Sequence, residues 1–565
     1  MTGPDGPGPT GPGPTVTGPD GPGPTGSGPT GPRDVTDTPR DAGGGPTTDV
    51  PQNIHDITPK PRKLPDGANI RFLAPTVNAI TNVTALVGRD LEPLRCHIYI
   101  RDGLIAGIVP DNADTTPLAA APPPARDLLE RDKPITIDGK HMIAVPGMAD
   151  VHDHLQVLGP GLPVAEGLPL DEFLRVQWAT QARMGPPEYE LAVLLGTLQR
   201  LKCGVTTVVD HAYTFHEPDL DEACVHAYDL SGIRWAYARG IMTRPYAPVC
   251  ETFEQAAANI RALLANTTAT PERLFVAPVS IRQATLQEYE RSAALAEELG
   301  AGTYTHASET QAERETWLQE AQTTPIKALD RAGFLTERTV LAHCVVLDDD
   351  EIELLAARGT HVVHCPSNNM KLAKGVTRVP DLLAAGVNVA LGVDMMADIF
   401  SEMRAELHMQ SLHSGDPAVL SSRDVLQMAT WRGAAAVFPD AAAPADTLTA
   451  ATAGYRVPIG ELSTGCAADI VLIPARSLLQ APLLDPLHAV VHQTHGPMVR
   501  HVLVDGQLVV ADGVSTLVDE KELLVEAERA CNYWLDQLDL PAGPQGVWFP
   551  PPPPDFPDAP PDGWP

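Results

Sequence analysis

The sequence has few basic residues, few cysteines and no long apolar run, and each shortage excludes a class of protein. Of 565 residues, 40 are Lys or Arg and 72 are Asp or Glu, which gives a formal net charge of -32. Such an acidic surface repels nucleic acid and anionic lipid, so neither is an expected partner. No apolar stretch approaches the roughly 20 residues that span a bilayer, and the N-terminus lacks the pattern of a secretory signal. Eight cysteines are too few for a disulfide framework, which favours a cytoplasmic protein.

Both ends of the chain have a composition that does not support a packed core. Residues 1–60 are rich in Gly, Pro and Thr, and the decapeptide TGPDGPGPTG occurs at 2–11 and again at 17–26. Such a sequence buries too little apolar surface to offset its chain entropy, so we predict a disordered tail over 1–60. Residues 521–565 are predicted to form a helix followed by a proline-rich tail.

Two segments on either side of a long central block have the pattern of short strands. Residues 65–145 contain stretches such as CHIYIRDGLIAGIVP, and residues 455–520 return to this pattern in ADIVLIPA and VRHVLVDGQLVVADG. Apolar alternation bounded by turn residues is typical of a small β domain. Because the two segments flank the central block, we predict one small β-sandwich built from both.

The central block, residues 146–445, alternates apolar strands with amphipathic helical stretches. Eight strands are predicted, at 144–154, 205–212, 233–240, 274–280, 302–308, 339–345, 360–367 and 387–394. The stretches between them have apolar residues at i, i+3 and i+4, as helices do. Eight strands that alternate with helices predict an α/β fold, a (β/α)8 TIM barrel. A doubly wound sheet is the alternative, but the chain lacks the Gly-rich first turn of that fold.

Polar residues lie at the predicted carboxyl ends of these strands, where TIM barrels carry their active sites. His152 and His154 are spaced i, i+2, so both imidazoles can point at one metal ion while Asp153 points away. Two histidines on an edge strand would give the same pattern, but here the pair follows a buried-looking apolar strand. His306 and Asp394 lie at the ends of the fifth and eighth strands. We therefore predict that three imidazoles and one carboxylate hold a divalent ion, with one position left for water.

Glu309 and His343 have the chemistry that a hydrolytic site needs beside such a metal ion. Glu309 lies three residues after His306, where it can take a proton from the metal-bound water and deliver it to a ring nitrogen of the substrate. The metal lowers the pKa of that water to roughly 7. His343 is expected within hydrogen-bond range of the hydroxide or of a developing oxyanion. Asp394 is expected to share the proton transfers while it coordinates the metal.

A series of ordered motifs resembles those of the amidohydrolase superfamily, and within it the branch of triazine and nucleobase deaminases. That branch includes guanine and 8-oxoguanine deaminases and chlorohydrolase-like aminohydrolases. The motifs are PGMADVHDHL, CGVTTVVDHAY, ARGIM, THASET, AHCVVLDDDEIELLAARGTHVVHCPSNNMKLAKG and ALGVD. The resemblance covers about residues 70–515.

The resemblance implies one Zn²⁺ or Fe²⁺ ion, with protein ligands at the four positions His152, His154, His306 and Asp394. It also implies a proton-shuttling role for Glu309, a hydroxide-orienting role for His343, and a homo-oligomer. Relatives with two metal ions bridge them with a carboxylated lysine near the end of the fourth strand. That strand here reads FVAPVSIRQAT and contains no lysine, so a single ion is expected.

The resemblance also suggests which residues contact the substrate. The segment SNNMKLAKG is similar to the SN-x-KL loop of the triazine-type enzymes, which points to Asn368 and Lys371. Arg239 and Gln283 follow the third and fourth strands and are expected to read a purine-like edge through paired hydrogen bonds.

The predicted function is that of a metal-dependent aminohydrolase acting on a small molecule. A metal-bound hydroxide attacks a C–NH2 carbon of a purine-, pterin- or triazine-like heterocycle, Glu309 protonates the ring nitrogen, and ammonia leaves. The same site could instead hydrolyse a cyclic amide, or displace chloride or an alkylamine from a triazine-like ring. A barrel that has lost catalysis and acts as a scaffold is the third alternative, and the complete ligand set argues against it.

Overall fold

The computed structural model describes residues 74–111, 135–157, 165–395, 398–438 and 457–538, with side chains described as far as residue 530. The tail predicted over 1–60 and the proline-rich part of 521–565 lie outside the described residues. The helix predicted in 521–565 is present.

The described strands form two sheets. In chain order the strands are β1 (Val77–Val87), β2 (Glu92–Arg101), β3 (Leu104–Pro110), β4 (Ile135–Asp138), β5 (Met142–Pro146), β6 (Met148–Asp153), β7 (Val205–Asp210), β8 (Arg234–Ile241), β9 (Leu274–Pro278), β10 (Gly302–Ala307), β11 (Thr339–His343), β12 (His361–His364), β13 (Val389–Leu391), β14 (Ile470–Pro474), β15 (His501–Val504), β16 (Gln507–Ala511) and β17 (Val514–Ser515).

Most of the helices lie between the strands of the central block. In chain order they are α1 (Leu170–Gln181), α2 (Pro186–Lys202), α3 (Leu220–Ser231), α4 (Phe253–Asn266), α5 (Leu286–Leu299), α6 (Gln311–Glu320), α7 (Pro325–Arg331), α8 (Asp349–Arg358), α9 (Pro366–Lys371), α10 (Val379–Ala384), α11 (Ile399–Ser414), α12 (Ser422–Met428), α13 (Trp431–Val437), α14 (Pro486–His488) and α15 (Glu520–Leu538). None of the helices within the described ranges has the length and apolar character needed to cross a bilayer.

Strands β6 to β13 pair in parallel and in chain order, with helices between them. The backbone N–H of Asp394, just past β13, donates to the carbonyl of His152 in β6 at 2.9 Å, which joins the last strand to the first. One buried apolar cluster of the barrel contains the small residues Ala149, Ala238 and Ala342 together with the larger Tyr304. The predicted TIM barrel is confirmed.

The first predicted barrel strand, 144–154, is in fact the end of one strand and the whole of another. Residues up to Pro146 belong to β5 in the second sheet, and β6 begins at Met148. Gly147 lies between them, and a Cβ at this position would collide with the Thr206 side chain. Both strands are buried, so the Pro146-Gly147 dipeptide is the sequence signal that marks the boundary between them.

The second sheet has nine strands in the order β17-β16-β15-β14-β5-β1-β2-β3, with β4 paired beside β1. Its strands come from both flanks of the barrel, which confirms that part of the prediction. The two flanks meet where β14 pairs antiparallel with β5, for example Val471 opposite Val145. Its core is an apolar cluster that includes Ile80, Ile98 and Leu472, and burial of such side chains is what stabilises a sheet of this kind.

Candidate metal centre and active site

Three imidazoles and one carboxylate meet at the carboxyl end of the barrel. His152 lies in β6 and His154 directly follows it, while His306 lies near the end of β10 and Asp394 follows β13. The Nε2 atoms of His154 and His306 are 3.3 Å apart. Oδ1 of Asp394 lies 3.7 Å from Nε2 of His152 and 3.7 Å from Nε2 of His154. The structure therefore brings together all four residues predicted as metal ligands, and all four are buried.

Backbone carbonyls fix the tautomers of two of these histidines. Nδ1 of His154 donates to the carbonyl of His211, and Nδ1 of His306 donates to the carbonyl of Val279, each at 2.8 Å. Because a carbonyl oxygen can only accept, Nδ1 carries the proton in both rings. Each Nε2 atom then presents a lone pair to the other.

His152 is held in the same tautomer by a tyrosine from inside the barrel. Its Nδ1 is 2.8 Å from the hydroxyl of Tyr304, and that hydroxyl donates to the carbonyl of Val151 at 2.9 Å. The hydroxyl proton is thereby used, so the oxygen accepts from His152. Nε2 of His152 has no hydrogen-bond partner among the described residues, and it faces Asp394. Tyr304 lies two residues before His306 on the same face of β10, a spacing that could have revealed it in the sequence.

This donor set fits a divalent cation. Burial lowers the pKa of His152 well below its usual value and that of His306 to about 3, so both rings are neutral. Facing lone pairs at 3.3 Å repel each other unless a cation lies between them. Nitrogen lone pairs with one carboxylate oxygen are ligands that Zn²⁺ and Fe²⁺ accept.

Two further side chains lie close enough to be considered as ligands. His211 offers a ring nitrogen that forms a set with His152 and His306 whose atoms are within 4.8 Å of one another, and Cys365 does so with His152 and Asp394. Burial raises the pKa of the Cys365 thiol well above its usual value. Burial thus favours the protonated thiol in the absence of a metal ion, and the set of three imidazoles and one carboxylate stays the predicted one.

Glu309 and His343 lie beside the ligands, as predicted. Nε2 of His343 is 3.6 Å from Oε1 of Glu309 and 3.8 Å from Oδ2 of Asp394. Nδ1 of His343 donates to Oδ1 of Asn369 at 3.1 Å, which leaves a lone pair on Nε2. His343 has φ 73° and Asp394 has φ 48°. Left-handed backbone at non-glycine residues is costly and clusters at functional sites.

Two cations that the sequence did not reveal hold the carboxylate of Glu309. Nζ of Lys374 lies 2.7 Å from Oε1, and Nη1 of Arg282 donates to Oε2 at 3.0 Å. Burial alone would raise the pKa of Glu309, but the charges of Lys374 and Arg282 outweigh it and hold the pKa well below its usual value. Glu309 is therefore a carboxylate before any substrate binds.

A buried cluster of Asp150, Asp153 and Arg200 holds the backbone beside the predicted ligands. Asp150 and Asp153 accept hydrogen bonds from backbone N–H groups on both sides of the barrel closure, those of His152 (3.2 Å), Val393 (2.8 Å), His154 (2.9 Å) and Met395 (2.9 Å). Nε of Arg200 in α2 donates to Asp150 at 3.1 Å and to Asp153 at 2.6 Å. Asp153 thus points away from the metal site, as predicted, and Arg200 balances its charge.

Arg239 does not reach the predicted substrate position. Its guanidinium is fully buried and forms ion pairs with Asp221 at 2.9 Å and with Glu251, and it lies over the ring of Phe215 at 3.9 Å. Because these groups use its donors, Arg239 stabilises the packing of β8 against α3 instead of reading a substrate edge. The structure does not support the predicted contact.

The predicted SN-x-KL loop does approach the site, but with a different lysine. Asn368 is buried at the cavity, and its Nδ2 donates to the carbonyl of Asp394 at 3.3 Å. Lys371 is exposed, with its Nζ 5.8 Å from the centre of the Phe173 ring. Lys374 enters the site in its place. Gln283 lines the cavity as predicted, and the hydroxyl of Ser280 donates to its Oε1.

A cavity opens from the predicted ligands toward α1. Its walls combine apolar side chains with a few polar ones. The lining includes Leu170, Phe173, Leu174, Gln177, Tyr213, Val279, Ser280, Gln283, Asn368, Leu372 and Met395 around the catalytic groups. This cavity, called the slot below, is where a substrate would approach the predicted metal ligands.

Comparison with known proteins places this site in a family. Residues 143–438 match the amidohydrolase family. The chain is 30% identical over 419 residues to a 5-methylthioadenosine/S-adenosylhomocysteine deaminase of Nitratidesulfovibrio vulgaris, a match that covers 71% of this chain and 87% of that one. It is 31% identical over 407 residues to a 5'-deoxyadenosine deaminase of Methanothermobacter thermautotrophicus, covering 71% and 89%.

The fold agrees with a solved structure of the same kind. A zinc-bound adenosine deaminase from Xanthomonas campestris superposes with a TM-score of 0.68 at 24% identity, over 82% of this chain and 99% of that one. The chain therefore belongs to the amidohydrolase family, which confirms the resemblance found in its motifs. It is an enzyme of the hydrolytic deaminase kind, acting on carbon–nitrogen bonds other than peptide bonds.

Proposed function

We propose that this enzyme removes the 6-amino group of adenine nucleosides, including those modified at the 5' position, with the help of one divalent metal ion. The observation that carries the proposal is the meeting of a four-ligand centre, a paired carboxylate and a mostly apolar slot at one end of the barrel. The substrate class is taken from relatives at 30–31% identity, which are named for adenine nucleosides.

His152, His154, His306 and Asp394 would hold the metal ion. A divalent ion at these ligands supplies Lewis acidity, which lowers the pKa of water and activates it for attack on carbon. The residues named below bind the substrate, orient the attacking water and move its protons.

Glu309 is proposed to carry the proton. As a resting carboxylate it accepts a proton from the attacking water, and as a carboxylic acid it then donates that proton to N1 of the purine ring. Lys374 and Arg282 also make protonated Glu309 a stronger acid, because their positive charges stabilise the carboxylate that remains after the proton is donated.

His343 and Asp394 complete the proton path. The lone pair on Nε2 of His343 can accept only a hydrogen bond, so it is suited to orient an O–H of the attacking water and not to donate to an oxyanion. Burial raises the pKa of Asp394. A carboxylate of this kind can take the second proton and pass it to the amino group, which leaves as ammonia.

The slot supplies the remaining binding energy. Phe173 and Leu372 offer apolar surface for the purine ring. Nε2 of Gln177 lines the slot and has no hydrogen-bond partner among the described residues, so it is free to donate to a ring nitrogen. Asn368 and Gln283 lie at the same wall. We retain Asn368 and Gln283 as proposed substrate contacts and add Gln177.

The test is ammonia release by Zn²⁺-loaded and Fe²⁺-loaded protein from adenosine, 5'-deoxyadenosine, 5'-methylthioadenosine and S-adenosylhomocysteine, beside guanine, a pterin and an amino-triazine. Glu309→Gln serves as the inactive variant. Glu315→Gln, an exposed glutamate in α6, is the matched control. We expect the adenine nucleosides to be converted by the wild type and by the control but not by Glu309→Gln.

Other outcomes would change the proposal in defined ways. Release only from guanine, pterin or triazine would keep the chemistry and reject the nucleoside class. Release of chloride from a chlorotriazine, or of alkylamine from an alkylaminotriazine, with no ammonia from any compound of the panel, would reject deamination. Protein that carries metal and releases nothing would reject the proposed function altogether. A cytoplasmic location and a homo-oligomer stay predictions, to be checked by fractionation and by light scattering.

A further inference from the structure

One short segment of the chain contacts three of the functional groups. It runs from Asn368 in α9 to Lys374. Within it, Asn369 holds Nδ1 of His343, and Asn368 donates to the carbonyl of Asp394. The third contact is made by Lys374, which reaches Glu309.

Lys374 connects these contacts to one another. Its Nζ donates to Oδ1 of Asn368 at 2.6 Å and lies 2.7 Å from Oε1 of Glu309. Its backbone N–H donates to the carbonyl of Asn369 at 2.9 Å. The side chain is only 2% exposed, although lysine is a residue that is almost never buried unless it is paired. The aliphatic part of Lys374 is thus buried at the site, and its ammonium group contacts Asn368 and Glu309.

We propose that Lys374 is a positioning residue, which holds the carboxylate of Glu309 in the orientation and charge state that its proton transfers require. The inference rests on the proposed function, because it assigns Glu309 a role in that reaction. The geometry supports a role through Glu309: Lys374 takes one carboxylate oxygen and Arg282 the other, so the carboxylate plane is fixed at both ends.

The groups that face Glu309 come from several elements, and the charged ones nearest to it are cations. Nε2 of His343 lies 3.6 Å away, and the backbone N–H of Glu309 donates to the carboxylate of Glu313 in α6 at 2.7 Å. His306 precedes it on β10, and Asp394 lies across the site. Glu313 and Asp394 both favour a protonated Glu309, so the positive charges of Lys374 and Arg282 are needed to keep it ionised.

The first experiment compares Lys374→Met with Lys374→Arg, and uses Lys140→Met as the matched control. Lys140 is exposed in the turn between β4 and β5, away from the barrel site. We expect kcat of Lys374→Met to fall about 10- to 100-fold while KM changes little. Lys374→Arg should recover part of the loss, and Lys140→Met should behave as the wild type.

The pH profile supplies a readout that a merely structural role would not move. Loss of the positive charge should raise the pKa of Glu309, so the acidic limb of the kcat profile of Lys374→Met should shift to higher pH by about one unit or more. In combination with Glu309→Gln, Lys374→Met should cause little additional loss, because both changes act on the same step.

A spectroscopic measurement separates failure of this inference from failure of the proposed function. Infrared difference spectra recorded across a pH change detect the C=O stretch of a protonated carboxyl group, and Glu309→Gln identifies the band of Glu309. In Lys374→Met that band should appear at higher pH than in the wild type, whether or not any nucleoside is converted. Thermal melts and metal analysis establish that the variants are folded and loaded.

The inference would be overturned by a folded, metal-loaded Lys374→Met with wild-type kcat and an unmoved acidic limb. It would equally be overturned if Lys374→Met and Glu309→Gln had fully additive effects, or if the infrared band of Glu309 did not move. If Lys374→Met does not fold, Lys374→Arg and Lys374→Gln carry the same comparison.

Discussion

The two sheets of this protein bury opposite kinds of side chain. The nine-stranded sheet has a core of aliphatic residues such as Ile80, Ile98 and Leu472. The carboxyl end of the barrel buries ionisable side chains, among them Arg200, Glu309, Lys374 and the four predicted metal ligands. Apolar burial stabilises a fold directly, whereas a buried ion pair barely offsets the cost of removing its charges from water. The sheet is therefore built for stability and the barrel end for chemistry.

This comparison implies that stability and activity can be changed separately. Substitutions of the groups around the metal site should affect catalysis or metal binding, with or without a change in stability, whereas substitutions in the nine-stranded sheet should affect unfolding alone.

Glu309→Gln should cause the largest loss of activity with the least change in structure. General acid–base catalysis contributes about 10²- to 10⁴-fold, so kcat should fall by that amount. Glutamine keeps the shape and one acceptor oxygen for Lys374 and Arg282, so the circular dichroism spectrum and metal content should be unchanged. Steady-state kinetics with metal analysis measures both. A variant that loses its metal along with its activity would show that Glu309 also supports the ligands.

Arg200→Met should affect both stability and metal affinity. It leaves the buried carboxylates of Asp150 and Asp153 without their cation, which costs about 3–5 kcal/mol of unfolding free energy. Because those carboxylates hold the backbone beside His152 and His154, metal affinity should fall about 10- to 100-fold.

Urea unfolding and metal titration test this prediction, with Arg183→Met as the control because Arg183 is exposed. Unchanged metal affinity in a destabilised Arg200→Met would mean that the buried cluster only stabilises the barrel.

Leu472→Ala should lower stability without changing activity. Leu472 is fully buried in the nine-stranded sheet, and truncation of such a residue costs about 2–5 kcal/mol. At a temperature where the variant is folded, kcat and KM should equal those of the wild type. Denaturant unfolding beside kinetics checks this. A fall in kcat with full metal content would show that the sheet influences the site and would break the comparison.

Glu402→Gln should change how stability depends on pH. Burial raises the pKa of Glu402 in α11 to about 8, although the backbone N–H of Ser367 donates to it at 2.9 Å. A carboxyl group whose pKa is raised by folding stabilises the folded state while it is protonated. This contribution is complete below the pKa that the group has in the unfolded chain, and it is lost as pH rises toward 8. The unfolding free energy of the wild type should therefore fall between about pH 5 and pH 8.

In Glu402→Gln that fall should be smaller by about 1 kcal/mol or more, as urea unfolding at pH 5, 6.5 and 8 would measure. Equal pH dependence in the two proteins would mean that Glu402 ionises freely in the folded state.

The sequence was sufficient to predict the site residues that lie at the ends of barrel strands. His152 and His154 are spaced i, i+2 at a strand end, and Asp394 closes the last strand, so the rules of the barrel bring them together. Loop and long-range contacts could not be predicted this way. Lys371 and Lys374 lie three residues apart in one polar segment, and only the turn after α9 decides which of them is buried.

Arg239 shows the same limit for pairs that are distant in the chain. It ends up in an ion pair with Asp221 of α3, and neither residue carries a sequence signal for the other. Arg200 and Asp150 are fifty positions apart and meet only because α2 packs against the barrel. The fold class and the meeting of the four predicted ligands follow from local periodicity, whereas buried ion pairs follow from tertiary packing.

A metal titration of the metal-free protein tests whether one metal ion per chain supports deamination. Ammonia release from 5'-deoxyadenosine is measured at each addition of Zn²⁺. One centre built from His152, His154, His306 and Asp394 predicts that activity rises in proportion to bound metal and reaches its maximum at one ion per chain. Activity that requires a second ion, or ammonia release that is unaffected by removal of the metal, would contradict a single catalytic metal centre.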